Sequence, residues 1–268
     1  MKKVVLICTA AVFTSVFFSC KNESQKEPET SNEVEVITET PSNEIAMASS
    51  NELNAESEVQ YLYVTAPSGL TLREFGNLHS EKLARMPYGT KVKVITPEKN
   101  ATMNVQGVKG GMDKVEFNHK KGFAFNGYLS KYFPPERDIT AKGYASELNA
   151  QFPDVIYAET TGGTTSNPEN TESITLPGAQ WHEAFLMAQR LFDFPKEFTF
   201  PNPKGKNAET IFDGKPKKGI WVSQLEVTRN DNALNKIAYV YGSSKFDSTV
   251  TIEAVDNGMK ISRIEIVK

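Results

Sequence analysis

Cysteine is nearly absent from this chain of 268 residues, which holds two, Cys8 and Cys20. Neither lies beyond position 20, so the rest of the chain has no disulfide and no thiol nucleophile. Histidine is almost as scarce, at His79, His119 and His182, whereas zinc hydrolases need two or three His or carboxylate ligands in close array. His182-Glu183 opens like a zinc helix, but position 186 is leucine where a second histidine belongs, so the pair reads as a solvated helix start. Gly162-Gly163-Thr164-Thr165 is followed by no lysine at the spacing of a phosphate-binding loop, and there is no Gly-x-Ser-x-Gly elbow. What scarcity leaves is carboxylate chemistry, with Asp154, Glu159, Asp213 and Glu226 as candidates for a two-carboxylate hydrolase. Nothing in their spacing singles out a pair, and surface solvation is the default for such groups. No cofactor or metal site is expected.

Two further absences organise the front of the chain. After Lys2-Lys3, Val4 to Phe18 carries no charge, and this run of fifteen residues stops at Ser19-Cys20. That is the layout of an export signal, and the run is short of the ~20 apolar residues that a spanning helix needs. From Lys21 to Gln60 there is no Phe, Tyr or Trp, and ten glutamates face two lysines. Such a stretch cannot bury enough apolar surface to offset its ordering entropy, so 20–60 is expected to be a disordered acidic tether. The remainder, 61–268, holds 26 basic and 23 acidic residues without a concentrated basic stripe, which argues against a nucleic-acid partner.

Phe17-Phe18-Ser19-Cys20, followed by Lys21-Asn22-Glu23-Ser24, resembles the lipobox of bacterial lipoproteins, in the looser form of Bacteroidetes-type envelopes. The resemblance implies a signal peptide at 1–19, lipidation at Cys20, and an outer-membrane lipoprotein facing the periplasm or the cell surface. Acyl chains at Cys20 would make the membrane a partner through the lipid anchor. The plain alternative is a secretory signal with an incidental cysteine.

Between Tyr61 and Phe133 the texture is all-β, with five short alternating runs separated by turn residues, which indicates a small barrel or sandwich. Tyr63-Val64-Thr65-Ala66, Gly69-Leu70-Thr71-Leu72-Arg73, Met86-Pro87-Tyr88-Gly89-Thr90-Lys91-Val92 and Gly122-Phe123-Ala124-Phe125 with Gly127-Tyr128-Leu129-Ser130 resemble the bacterial SH3 (SH3b) domain. The resemblance covers 61–135, about a quarter of the chain, and implies an SH3-like barrel that engages peptide or peptidoglycan. Phe123 and Phe125 share a strand face and are expected to fill its core. Met112-Asp113 stands where family members often carry a Trp, and the run Ile95 to Gly111 is long for a loop in so small a barrel.

Phe133-Pro134-Pro135 ends the last strand, and 139–268 is expected to be a separate α+β domain. Its stretch 160–173, "TTGGTTSNPENTES", reads as a polar, turn-rich connection. Trp181, Ala184, Phe185, Ala188, Leu191 and Phe192 recur at helical spacing. Four alternating runs follow between 219 and 267, separated by turn residues including Asn257-Gly258. The fold class expected is therefore mainly β with α+β, one main helix covering a four-stranded antiparallel meander.

The function expected is non-catalytic binding in the cell envelope, with peptidoglycan or an envelope protein as partner. The candidate ligand-binding residues are Tyr63, Tyr88 and Tyr128, whose amphipathic rings suit peptide or sugar contact, and Trp221, which falls on the opposite strand face from Ile220 and Val222. Half-buried packing is the bland alternative for each ring, and for Trp221 a sheet covered on both faces. A carboxylate hydrolase or a partner-docking structural lipoprotein are the alternative functions.

Overall fold

Alternation of apolar and polar residues between Tyr61 and Ser130 produces nine short strands: β1 (Tyr61–Val64), β2 (Leu70–Arg73), β3 (Lys82–Met86), β4 (Lys91–Thr96), β5 (Met103–Val105), β6 (Val108–Gly110), β7 (Met112–Phe117), β8 (Lys120–Phe125) and β9 (Leu129–Ser130). These come from a computed structural model that describes residues 59–214 and 218–268. The leader expected at 1–19, the lipidation expected at Cys20 and the tether expected as far as residue 58 lie outside the described residues.

Seven of the nine strands form one antiparallel sheet in the order β3-β2-β8-β7-β4-β1-β9, and β5 pairs with β6 as a separate hairpin. The end strands β3 and β9 do not pair with each other, so no closed barrel is seen among the described residues. The ladder between β2 and β8 holds a single register pair, Arg73 with Phe123. The close crossing there requires glycine, since a Cβ on Gly122 would sit 2.6 Å from the Arg73 carbonyl oxygen. Strand turns are tight where left-handed backbone is available: Gln106-Gly107 and Asn118-His119, all at positive φ, close two hairpins.

Val64, Leu72, Met86, Val92 and Val115 fill the core of this half. Phe123 and Phe125 share a face of β8, and Gly122 between Leu72 and Val115 lets the strands approach closely. Phe125 belongs to the buried core, as expected, where it also meets Gly110, Gly127 and the edge of Tyr128, while Phe123 is only partly buried and packs against that core.

The long run from 95 to 111 is pinned from beneath. Asp113, 3% exposed, accepts from the Glu98 amide (2.8 Å) and from Asn126 Nδ2 (2.8 Å), while Asn126 Oδ1 accepts from the Gly111 amide (2.8 Å). Burial raises the Asp113 carboxyl above its ordinary range, and these donors work against that rise.

The C-terminal half contains α1 (Ala141–Asn149), β10 (Ile156–Gly163), β11 (Pro168–Pro177), α2 (Trp181–Leu191), β12 (Ala208–Phe212), β13 (Ile220–Asn230), β14 (Ala233–Ser243), β15 (Phe246–Val255) and β16 (Gly258–Val267). The fold is thus mainly β and antiparallel, with two α-helices among the described residues. The expected four-stranded meander, β13 to β16, is present inside a sheet of seven strands ordered β10-β11-β16-β15-β14-β13-β12. The three further strands carry few apolar residues. β10 is exposed along almost its whole length and β12 is an edge strand, so neither shows a buried period, and the 160–173 stretch is a hairpin rather than a connection. Its Thr residues suit a pleated edge. α1 escaped a periodic reading because it is nine residues long; Thr140 caps it, and Ala141, Tyr144, Ala145 and Leu148 face inward.

α1 packs on β10 and β11, and α2 on β15 and β16. Ile174, Leu176, Phe185, Leu225, Ile237 and Ile252 are among the fully buried side chains there. The connection between the halves is anchored rather than loose. Tyr132 is buried and donates to the Pro177 carbonyl (2.6 Å), and Tyr144 donates to the Phe133 carbonyl (2.7 Å).

Asn126→Ala removes a donor from a buried carboxylate and an acceptor from a buried amide. It is expected to lower the unfolding free energy by about 1–3 kcal/mol, read from urea midpoints of the variant and parent.

Candidate functional site

A cleft of about 670 Å³ lies where the two halves meet. One wall is the 66–73 segment that becomes β2 and the tip of the β5–β6 hairpin; the other is α2 with the 196–202 segment. The hairpin tip crosses between them: a Cβ on Gly107 would stand 3.3 Å from Pro203 and 3.8 Å from the Phe200 ring. The long 95–111 run is therefore part of the site, delivered by the Asp113–Asn126 brace.

A chain of rings forms the floor. Phe125 meets Tyr128 edge-on (5.8 Å), Tyr128 meets His182 (6.2 Å), His182 meets Phe200 (6.1 Å) and Phe200 meets Phe185 (5.7 Å). Edge-to-face pairs at such separations add ~0.5–1.5 kcal/mol each beyond area burial. Phe200 packs against both hydrophobic clusters. Tyr128 is half-buried, with its hydroxyl 3.4 Å from Gln106 Oε1, and burial raises its pKa.

His182 and Glu183 are buried, which corrects the reading of a solvated helix start. Burial pushes the His182 imidazole down to about 4, against the opposing effect of its hydrogen bond to the Gly127 carbonyl. It is a neutral ring in the wall. Glu183 points into a different set of groups: its Oε2 accepts from the Gln180 amide (2.6 Å), completing the helix start, and Ser130 bonds to it. Burial raises this carboxyl, opposed by those bonds and by Lys131.

The other expected binding residues are dispersed. Tyr63 and Tyr88 line a second groove of about 610 Å³ with Phe133, Pro134 and Arg190. The Arg190 guanidinium lies 4.7 Å from the Tyr88 ring centroid. Burial raises the Tyr88 pKa and Arg190 opposes the rise. Trp221 is 61% exposed on β13 at a register shift between Ile220 and Val222, packed over Gly242 with Lys268 Nζ 4.9 Å from its ring. The bulge is what presents it to solvent. Tyr128 alone of the four lines the large cleft.

The four carboxylates are not brought together. Glu159 on β10 pairs with Lys142 (3.7 Å) and is separated from Glu226 on β13 by five strand spacings, ~24 Å. Glu226 accepts from Gln224 (2.7 Å). Asp213 accepts from Ser223 (2.7 Å), whose neighbours Leu225 and Val227 at the same parity are buried, so it meets the face opposite to Glu226. Asp154 is exposed in the loop after α1. None of the four lines the large cleft.

Phe200 and its loop are not among the residues that the sequence singles out. The available signal was Phe194, Phe198 and Phe200 within seven residues, too apolar for a solvated loop. Comparison with protein-family models, curated proteins and solved structures gives no match for this chain.

A histidine whose folded pKa is depressed costs stability as pH falls from its unfolded pKa, ~6.5, toward its folded one. Glu183, with a raised pKa, acts in the opposite direction and is common to parent and variant. His182→Asn is therefore expected to destabilise at pH 7.5 but to recover about 2–3 kcal/mol relative to the parent by pH 4.5, measured as the gap between their denaturation midpoints at the two pH values.

Proposed function

We propose that this chain is a lipid-anchored, non-catalytic binding protein of the bacterial cell envelope, tethered to the outer membrane through Cys20, with an SH3b-like N-terminal half. Its ligand is peptide or peptidoglycan, and the two halves hold it jointly. The observation that carries this reading is the cleft of about 670 Å³ whose walls come from both halves and whose lining is aromatic and polar. Its size is that of a site for a compact ligand, and rings with a few polar groups are the usual lining of one.

The SH3b-like resemblance supplies the ligand class, and Tyr128 joins that half to the cleft. The hydrolase alternative draws no support from the placement of Asp154, Glu159, Asp213 and Glu226. Within the cleft His182 is committed to the Gly127 carbonyl and is neutral through the physiological range. It serves as a wall.

Co-sedimentation of chain 20–268 carrying Cys20→Ser with purified peptidoglycan sacculi tests the proposal. The parent is expected in the pellet. Thr199→Trp, which fills the cleft from an exposed position, is expected to leave it in the supernatant, while Tyr63→Ala/Tyr88→Ala in the second groove keeps at least half of the binding. The reverse pattern would move the site to the second groove, and a parent that stays in the supernatant would overturn wall binding.

A further inference from the structure

Charge in the cleft has one sign. Arg73 on β2 contributes one cation from the N-terminal wall and Lys196, after α2, another from the C-terminal wall, and no Asp or Glu lines the space between. Arg73 spends one Nη1 hydrogen on the Ser80 carbonyl (2.7 Å). Among the described residues neither Arg73 nor Lys196 makes an ion pair, although Lys142, Arg229, Lys236, Arg263 and Lys268 do. Two cations without counter-charges, set beside Phe125, Tyr128, Phe198 and Phe200, complement an anion attached to an apolar body. A cationic ligand would meet no opposite charge there.

The uncharged polar groups narrow the class. Ser68, Thr71, Gln106, Gln189, Thr199 and Asn202 line both walls. Gln189 Nε2 is committed to the Pro195 and Phe198 carbonyls (2.9 Å each), and Gln106 Oε1 faces the Tyr128 hydroxyl. Hydroxyls and amides in that number match the alternating donors and acceptors of a peptide backbone, which an acyl chain lacks.

Taking the cleft as the binding site, we infer that it recognises a peptide through a free carboxylate on a residue with an apolar or aromatic side chain, with Arg73 and Lys196 as the partners of the anion. Arg73 offers a planar fork that fits a carboxylate, and Lys196 a mobile point charge across the cleft.

The test uses a matched pair of probes, N-dansyl-phenylalanine and N-dansyl-phenylalaninamide, which share one body and differ in charge. Dansyl emission is titrated on chain 20–268 carrying Cys20→Ser. The carboxylate is expected to bind about tenfold more tightly than the amide, the size of a charge-assisted hydrogen bond. In Arg73→Gln/Lys196→Gln that advantage disappears while both probes still bind, and in Thr199→Trp both probes lose binding. Equal binding of the two probes that is lost in Thr199→Trp overturns the carboxylate preference and leaves the cleft standing as a site. An advantage that survives the double glutamine variant overturns the assignment of Arg73 and Lys196. Absence of binding, or binding indifferent to Thr199→Trp, overturns carboxylate recognition in the cleft; sacculus binding by the parent would then still establish the wall-binding role on its own.

Discussion

The Phe200 ring touches both hydrophobic clusters, and the shape of the cleft follows from that double contact. The link Lys131 to Arg137 is held to the C-terminal half by the Tyr132 hydroxyl, which donates to the Pro177 carbonyl, and by the Phe133 carbonyl, which accepts from Tyr144. The run Phe125, Tyr128, His182, Phe200, Phe185 joins one core to the other at ring-centroid distances of 5.7–6.2 Å. Rings are effective for this because each brings a large apolar area with few rotatable bonds, so little entropy opposes its fixation. The imidazole takes part because burial keeps it neutral, and a charged ring at the same place would need a counter-ion that the wall does not contain.

Several buried charged groups elsewhere have partners beside them, and none of these carboxylates lines the cleft. Asp113 is satisfied by the Glu98 amide and Asn126, Glu183 by the Gln180 amide and Ser130, and Glu172 by Arg263 (2.5 Å) and Tyr157 (3.2 Å). The buried Arg229 donates to the carbonyls of Asn202 (3.0 Å) and Lys206 (2.9 Å) and to Glu209 (2.9 Å), which fixes the backbone leading out of the cleft wall. Leaving any one of these charges buried without its partner would cost several kcal/mol. The contrast with Arg73 and Lys196 is physical rather than numerical: these two line a space open to solvent and to a ligand, so no protein partner is required of them.

Legibility followed burial period. Strands β13 to β16 and helix α2 were readable because each buries one face, so Leu225 and Val227, or Ala184, Phe185, Ala188 and Leu191, repeat at the period of their element. β10 and β12 were not, because an exposed or edge strand has no buried face to impose a pattern on "IYAETTGG" or "AETIF". Strand parity left Trp221 either exposed or covered; it is exposed, and the register shift beside it has no signature in the neighbouring residues. Of the site, Tyr128 was named in advance for its amphipathic ring. Arg73 and Lys196 were invisible as a pair, being 123 positions apart and alike in every local respect to solvated surface cations.

Composition and local pattern alone determined that residues 21–268 hold no thiol nucleophile, that the front of the chain is an uncharged run followed by an acidic, ring-free stretch, and that the rest is mainly antiparallel β. Each of these is a property of residue type or of spacing within a dozen positions. Tertiary structure decided which rings meet, that His182 and Glu183 are buried rather than solvated, that the named carboxylates stay apart, and that a glutamine-glycine hairpin tip closes over a loop nearly a hundred residues away. Those outcomes depend on packing between segments remote in the chain, where shape and desolvation act and local sequence carries no record of the neighbour.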